Sequence, residues 1–361
     1  MKSFNCGVWL VVFLAVTFMA CKETGKSVAP PELKYKIVYV SEEGICTINP
    51  DATERKVIVP LDKNNSFSTP RWSPDKRKIA FTGRVEGNAR IMLVNSDGSH
   101  RKVIGLPEGV KKRPKRGEPY VVRVKYDLEF LGWSSSGKYL LYKYGPILDA
   151  SLFGVISTKG KVVAQLGGSY PSFGGKDYLV YVGYYGSVIT LGADIFSYDL
   201  KTKKKQNLTN TNGNRPTSYY PVLSPDGMMI VFQYYSPSEN ELWVMNYDGS
   251  GKKKLAIPGK DFQGVALRSL SFSPDGEKIM FVPDEGNRSQ IYIINPDGTG
   301  LRAITDKIVL GTGGASWSPD GKRIVFTSDK DGNYELYIAN IDGTGLKRLT
   351  NNSIMDCCPD W

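Results

Sequence analysis

Short apolar runs of about five residues, rich in β-branched and aromatic side chains, recur along most of the chain. Gly, Pro, Asn, Asp and Ser bound them. Runs this short, closed off by turn residues, predict strands, because an amphipathic helix needs a longer stretch of 3.6-residue periodicity. The clearest are residues 78–82, 139–143, 178–182, 229–233, 278–282 and 323–327. Each follows a recurring phrase. It reads Trp72-Ser73-Pro74-Asp75, Leu223-Ser224-Pro225-Asp226-Gly227, Phe272-Ser273-Pro274-Asp275-Gly276 and Trp317-Ser318-Pro319-Asp320-Gly321, with weaker copies at Trp133-Ser134-Ser135-Ser136-Gly137 and Pro171-Ser172-Phe173-Gly174-Gly175. Pro presets φ for a β-turn, Asp accepts a local backbone hydrogen bond and Gly supplies a positive φ, so each phrase predicts a tight turn into the strand that follows.

A second pair of strands follows in each copy, as at residues 91–94, 242–245, 291–294 and 336–339, and closes in an Asp-Gly turn at Asp97, Asp248, Asp297 or Asp342. The copies start at residues 72, 133, 172, 223, 272 and 317, which are between 39 and 61 residues apart. That period is the length of a four-stranded propeller blade. Six units are internal. The first run, residues 36–40, reads as the second strand of a unit, and Pro359-Asp360-Trp361 reads as the first strand of one. Pairing the two termini completes a seventh. The predicted fold is therefore all-β: a seven-bladed β-propeller of four-stranded blades, closed by its N- and C-terminal strands so that no sheet edge is left open.

Over residues 35–361 these repeats resemble those of the TolB family, WD-like β-propellers of bacterial envelopes, and are similar to the propellers of prolyl oligopeptidase-type enzymes. The resemblance implies an envelope protein. It implies no peptidase, because the chain contains neither the Gly-x-Ser-x-Gly elbow nor the later catalytic His of the hydrolase domain.

The N-terminus predicts export. Lys2 precedes a mostly apolar stretch from Cys6 to Ala20, too short for an ordinary membrane-spanning helix and fitting a signal peptide. The junction Phe18-Met19-Ala20-Cys21 resembles a bacterial lipoprotein processing site. Residues 1–20 are expected to be the signal peptide, Cys21 to carry lipid, residues 21–34 to be a linker and residues 35–361 to be the propeller. The formal charge of +11 favours anionic partners. Outside the cytoplasm these are headgroups, wall polymers and acidic proteins, so nucleic acid is not expected to bind.

In a propeller the first-to-second and third-to-fourth strand turns share one face, and the remaining loops share the other. Basic residues follow every third-to-fourth turn, from Arg55 and Lys56 round to Lys347 and Arg348. They read either as an anion-binding ring or as edge charge that blocks unwanted pairing. On the opposite face, the loops over residues 144–152, 184–193 and 234–240 make a sector rich in tyrosine. Tyr144, Tyr184, Tyr185, Tyr234 and Tyr235 are its candidate binding residues, and Tyr170, Tyr219 and Tyr220 lie in the connections beside it. A flat ring with a polar tip suits peptide or sugar contacts, and it equally suits packing between blades. The connection over residues 106–126 carries Lys111, Lys112, Arg113, Lys115 and Arg116, candidate contacts for an acidic partner.

Catalytic chemistry is thin. His100 is the single histidine and stands in a turn where other copies have Gly, which removes His-based triads and most zinc sites. No catalytic residue, metal site or cofactor is assigned. After Cys6 and Cys21, three cysteines remain, Cys46, Cys357 and Cys358, an odd number with no metal-ligand spacing. Strand alternation predicts that the adjacent pair points to opposite faces and forms no structural disulfide. The expected function is a noncatalytic, monomeric scaffold anchored at a membrane and binding an envelope protein or a cell-wall glycan. The alternatives are a carbohydrate-active lyase or hydrolase on the same disc, or a Tol-Pal-like role in envelope integrity.

Overall fold

The computed structural model describes residues 35–361, apart from 63–64, 86–87, 105–126, 146–151, 176, 185–191, 212–216, 236–239, 256–266, 284–288 and 307–309. The compact unit begins at Tyr35, and the proposed leader, Cys21 and linker lie outside the described residues. Twenty-eight strands form seven four-stranded antiparallel sheets. The chain is an all-β, seven-bladed propeller.

Blade 1 joins the last strand, β28 (Asp356–Asp360), to β1 (Ile37–Ser41), β2 (Gly44–Ile48) and β3 (Lys56–Pro60). Blade 2 is β4 (Ser66–Trp72), β5 (Lys78–Val85), β6 (Asn88–Asn95) and β7 (Lys102–Ile104). Blade 3 is β8 (Asp127–Trp133), β9 (Tyr139–Gly145), β10 (Leu152–Ser157) and β11 (Val162–Gly167). Blade 4 is β12 (Ser169–Phe173), β13 (Tyr178–Tyr184), β14 (Ala193–Asp199) and β15 (Lys205–Asn207). Blade 5 is β16 (Thr217–Leu223), β17 (Met229–Tyr235), β18 (Asn240–Asn246) and β19 (Lys253–Lys254). Blade 6 is β20 (Leu267–Phe272), β21 (Ile279–Pro283), β22 (Tyr292–Ile294) and β23 (Arg302–Ala303). Blade 7 is β24 (Leu310–Trp317), β25 (Arg323–Ser328), β26 (Glu335–Asn340) and β27 (Lys347–Arg348).

The first strands β28, β4, β8, β12, β16, β20 and β24 each contact the next around an unbroken circle. Closure takes the predicted form. β28 pairs antiparallel with β1, placing Val38 opposite Asp360 and Ser41 opposite Asp356. Trp361 is buried against Ile37, Val325 and Ile338, and donates its indole N–H to the Tyr35 carbonyl at 2.9 Å. An Asp360 carboxylate oxygen accepts the Trp72 amide at 2.9 Å, so blade 1 is tied to blade 2 by the same short segment. The apolar clusters lie between sheets; one, for example, joins Val38 and Ile45 of blade 1 to Phe67, Ile79 and Phe81 of blade 2. Each blade buries one face against each neighbour, which is why strands central to a blade are almost wholly apolar.

The repeated phrases hold their turns as their chemistry requires. The Ser318 hydroxyl donates to the Asp320 carboxylate at 2.5 Å and accepts the Arg323 amide at 2.9 Å, while Asp320 also accepts the Lys322 amide at 3.1 Å. Ser73, Ser224 and Ser273 repeat the arrangement. In blade 3, Ser136 replaces the Asp and meets the Ser134 hydroxyl at 3.0 Å. At the third-to-fourth turns, Asp342 accepts the Thr344 amide and hydroxyl, and Asn340 Nδ2 donates to the same hydroxyl at 3.0 Å. His100 has a φ of 53°, in the left-handed region that Gly251, Gly300 and Gly345 occupy in equivalent turns.

Candidate functional site

The innermost strands depart from regular pairing, each with a register shift along its length. In four of them the residue before a proline has left-handed backbone: Thr69 (φ 51°), Tyr170 (φ 52°), Tyr220 (φ 52°) and Cys358 (φ 58°). Large non-glycine residues are strained there, at a cost of about 1–3 kcal/mol each, and such strain concentrates where structure serves function. The bulge re-aims the side chain toward the neighbouring blade. Thr69 shows this directly, donating its hydroxyl to the Phe130 carbonyl of the next innermost strand at 3.1 Å.

At the junction of blades 4 and 5 the re-aimed residues are tyrosines. The Tyr170 ring packs on Tyr220 with centroids 4.1 Å apart and meets Tyr219 edge-on at 6.5 Å. Tyr184, at the end of β13, lies near Tyr170 and Tyr219, and burial raises its phenol. Burial, aided by the hydrogen bond with Tyr220, pushes the Tyr170 phenol above its usual range. Tyr170 nevertheless keeps 41% of its surface exposed. The cluster is thus a rigid aromatic platform with polar tips, anchored by strained backbone and open to solvent on the face of the long loops.

Tyr144 packs on Tyr142 of its own blade at 5.5 Å, and Tyr234 packs on Trp243 at 4.9 Å, so both serve blade packing. Tyr185 and the side chain of Tyr235 lie outside the described residues, as do Lys111, Lys112, Arg113, Lys115 and Arg116. Tyr184 is a named candidate that lies beside the platform. Tyr170, Tyr219 and Tyr220, expected in connections between blades, lie in the innermost strands β12 and β16, and their convergence depends on bulges that sequence periodicity does not show.

On the turn face, several residues of the predicted basic ring join blades. Lys56 Nζ donates to the Asp97 carbonyl at 3.3 Å, Lys253 Nζ to the Asp297 carbonyl at 2.9 Å and Lys347 Nζ to the Asp51 carbonyl at 2.8 Å. Each reaches from an outermost strand to the third-to-fourth turn of the next blade. Gln206 repeats the reach to the Asp248 carbonyl at 3.4 Å. Arg55 pairs with Glu43, Arg348 with Glu335 and Lys254 with Glu241. A shallow groove between blades 5 and 6 on this face is lined by Met229, Lys278, Asn295 and Asp297.

Two buried acidic networks lie on the loop face. Asp194 accepts Asn207 Nδ2 at 2.8 Å, the Thr209 hydroxyl at 2.5 Å, the Thr211 hydroxyl at 2.8 Å and the Thr211 amide at 3.0 Å. Burial alone would push its carboxyl up, but these bonds overcome that and hold it below the usual carboxylate range. At the closure, Glu335 and Asp356 are fully buried; Glu335 binds Arg348, and Asp356 accepts Asn352 Nδ2 at 2.8 Å. Burial and the nearby Glu335 charge push the Asp356 carboxyl up. Both carboxylates are sealed from solvent. Among the described residues, no three His, Cys, Asp or Glu side chains group as a metal site.

Comparison with known proteins agrees with this architecture. Residues 259–361 match the family described as the TolB beta propeller domain. TolB from Acinetobacter baumannii superposes with a TM-score of 0.54 at 17% identity, covering 92% of this chain and 67% of that one. Oligogalacturonate lyase from Vibrio parahaemolyticus gives 0.59 at 15% identity, over 88% and 86% of the two chains. The β-propeller domain of the trilobed protease from Pyrococcus furiosus gives 0.59 at 18%, over 88% and 91%. A search of curated proteins by sequence found no match. The repeats are TolB-like, and at these identities the structural likenesses establish the fold alone.

Proposed function

We propose that the chain is an exported binding scaffold of the bacterial envelope, held at a membrane by lipid on Cys21, which recognises a protein or cell-wall glycan through the platform of Tyr170, Tyr184, Tyr219 and Tyr220. The observation that carries this reading is the exposed Tyr170 ring packed at a tilt on Tyr220 across two blades, both in strained backbone. Packing alone does not call for a ring left exposed at such a cost, whereas tyrosine platforms give large contact area for little lost conformational entropy. The seven closed blades supply the rigidity that preorganises it. The TolB-like repeats support the envelope setting. A lyase or hydrolase on the same disc is the competing reading, drawn from the likeness to oligogalacturonate lyase, and release of unsaturated or reducing sugar ends from an oligosaccharide would favour it.

The test is co-sedimentation of the protein with purified peptidoglycan sacculi and, separately, with detergent-solubilised envelope proteins carried on beads. Tyr170→Asn and Tyr220→Asn together remove both rings while keeping a residue that tolerates left-handed backbone. Removing a central pair of aromatic contacts is expected to cost about 2 kcal/mol, or roughly thirty-fold in affinity, with the unfolding midpoint little changed. Retention of wild type and variant alike on either material would show that these rings do not form the contact.

A further inference from the structure

Cys357 and Cys358 do not point to opposite faces of their strand. Their Sγ atoms lie 3.1 Å apart. The cause is the bulge in β28: the register against β1 jumps from Cys357 opposite Val40 to Asp360 opposite Val38, leaving Cys358 and Pro359 both opposite Tyr39. With Cys358 at φ 58°, strand alternation is broken and consecutive side chains turn to the same side. Both cysteines are in the thiol form; Cys357 is buried and Cys358 is partly exposed. The Cys357 thiol is held protonated by its hydrogen bond onto the Cys358 sulfur and by burial. Cys46, the remaining described cysteine, is buried in β2, and burial pushes its thiol up to about 11, so it is poorly reactive.

We propose that Cys357 and Cys358 are a reversible dithiol–disulfide pair set into the strand that closes the ring, oxidised by disulfide-bearing reagents through thiol–disulfide exchange. Cys358 is the accessible member. Its thiol loses a proton and the sulfur attacks one sulfur of the oxidant, expelling a thiolate and leaving a mixed disulfide on Cys358. Cys357 then loses its proton and attacks Cys358 Sγ, expelling the second thiolate. Two thiols have lost two protons and two electrons, and the oxidant has become two thiols. Adjacent α-carbons are about 3.8 Å apart, short of the roughly 4.4–6.8 Å usual for a disulfide, so the ring is strained and readily reduced. That suits a cycling pair better than a permanent brace.

Trypsin cleavage after Arg348 isolates residues 349–361, which contain both cysteines and none of the others. The native full chain is treated with the aromatic disulfide DTNB, quenched in acid, alkylated in denaturant, digested and weighed. The peptide is expected to be lighter by two hydrogen atoms, carrying neither alkyl group nor thionitrobenzoate, and dithiothreitol before alkylation should return it doubly alkylated. Cys357→Ser should instead keep thionitrobenzoate on Cys358. A wild-type peptide that retains thionitrobenzoate, or carries two alkyl groups after oxidant, would overturn the proposal. So would ring formation only after unfolding in urea, since then the fold does not bring the sulfurs together.

Discussion

Deleting residues 356–361 should destroy the cooperative fold. The six residues supply the innermost strand of blade 1, the buried Trp361 and the Asp360 carboxylate that accepts the Trp72 amide. Without them β1 becomes an open edge beside a gap, and the contacts of β28 with both β4 and β24 are lost. The expected product is insoluble, or soluble with no single unfolding transition. Trp361→Ala is the graded version. Removing a large buried ring is expected to cost about 3–5 kcal/mol, read as a lowered midpoint in denaturant with the slope unchanged. Arg323, whose guanidinium lies 4.9 Å from the Trp361 ring centre, would lose that contact as well. A truncated chain that unfolds like the intact one would mean the ring does not depend on its terminal strand.

The second large effect is expected at Asp194. Asp194→Ala removes the buried acceptor that Asn207, Thr209 and Thr211 share, a loss of about 3 kcal/mol at neutral pH. The sign of its pH dependence is fixed by the direction of its shift. Its carboxyl is lowered in the folded protein, so the stability it contributes is present above the unfolded value of about 3.9 and is lost as pH falls through the folded one. The difference between wild type and variant should therefore shrink in acid. Asp356 runs the other way. Its carboxyl is raised, so the folded state binds the extra proton and stability falls as pH rises from the unfolded value through the folded one. Asp356→Asn should remove that decline, leaving the variant relatively better off at neutral pH than in acid. Denaturant midpoints measured from pH 3 to pH 8 check both signs.

The architecture was legible because its determinants are local. Ser318, Pro319, Asp320 and Gly321 make their turn with one another and with the next two residues, so a contiguous phrase carries the whole instruction. Closure was legible because the incomplete units at the two ends complement each other. The Asp194 network was missed although a trace exists: Leu208-Thr209 and Leu349-Thr350 recur after the fourth strands, each Thr hydroxyl accepting the amide of a third-strand residue, Ile195 or Leu336. The tyrosine platform was only half legible. That the sector is rich in tyrosine follows from composition, but which rings meet depends on left-handed backbone at Tyr170 and Tyr220, where the pleat rule fails. The same failure explains Cys357 and Cys358, expected on opposite faces and found side by side. The basic ring was read from charge alone, whereas the reach of Lys56, Lys253 and Lys347 to the next blade needs the blades in place.

Placement of every surface named above follows from one pairing, β28 on β1. Hydrogen exchange followed by mass spectrometry on the intact chain measures it directly. The amides of residues 37–41 and those of 356–360 that pair with them are expected to be protected together and to exchange only through global unfolding, since the two strands share one ladder in blade 1. Exchange of residues 356–361 within seconds, as in a frayed terminus, would contradict the closed seven-bladed ring.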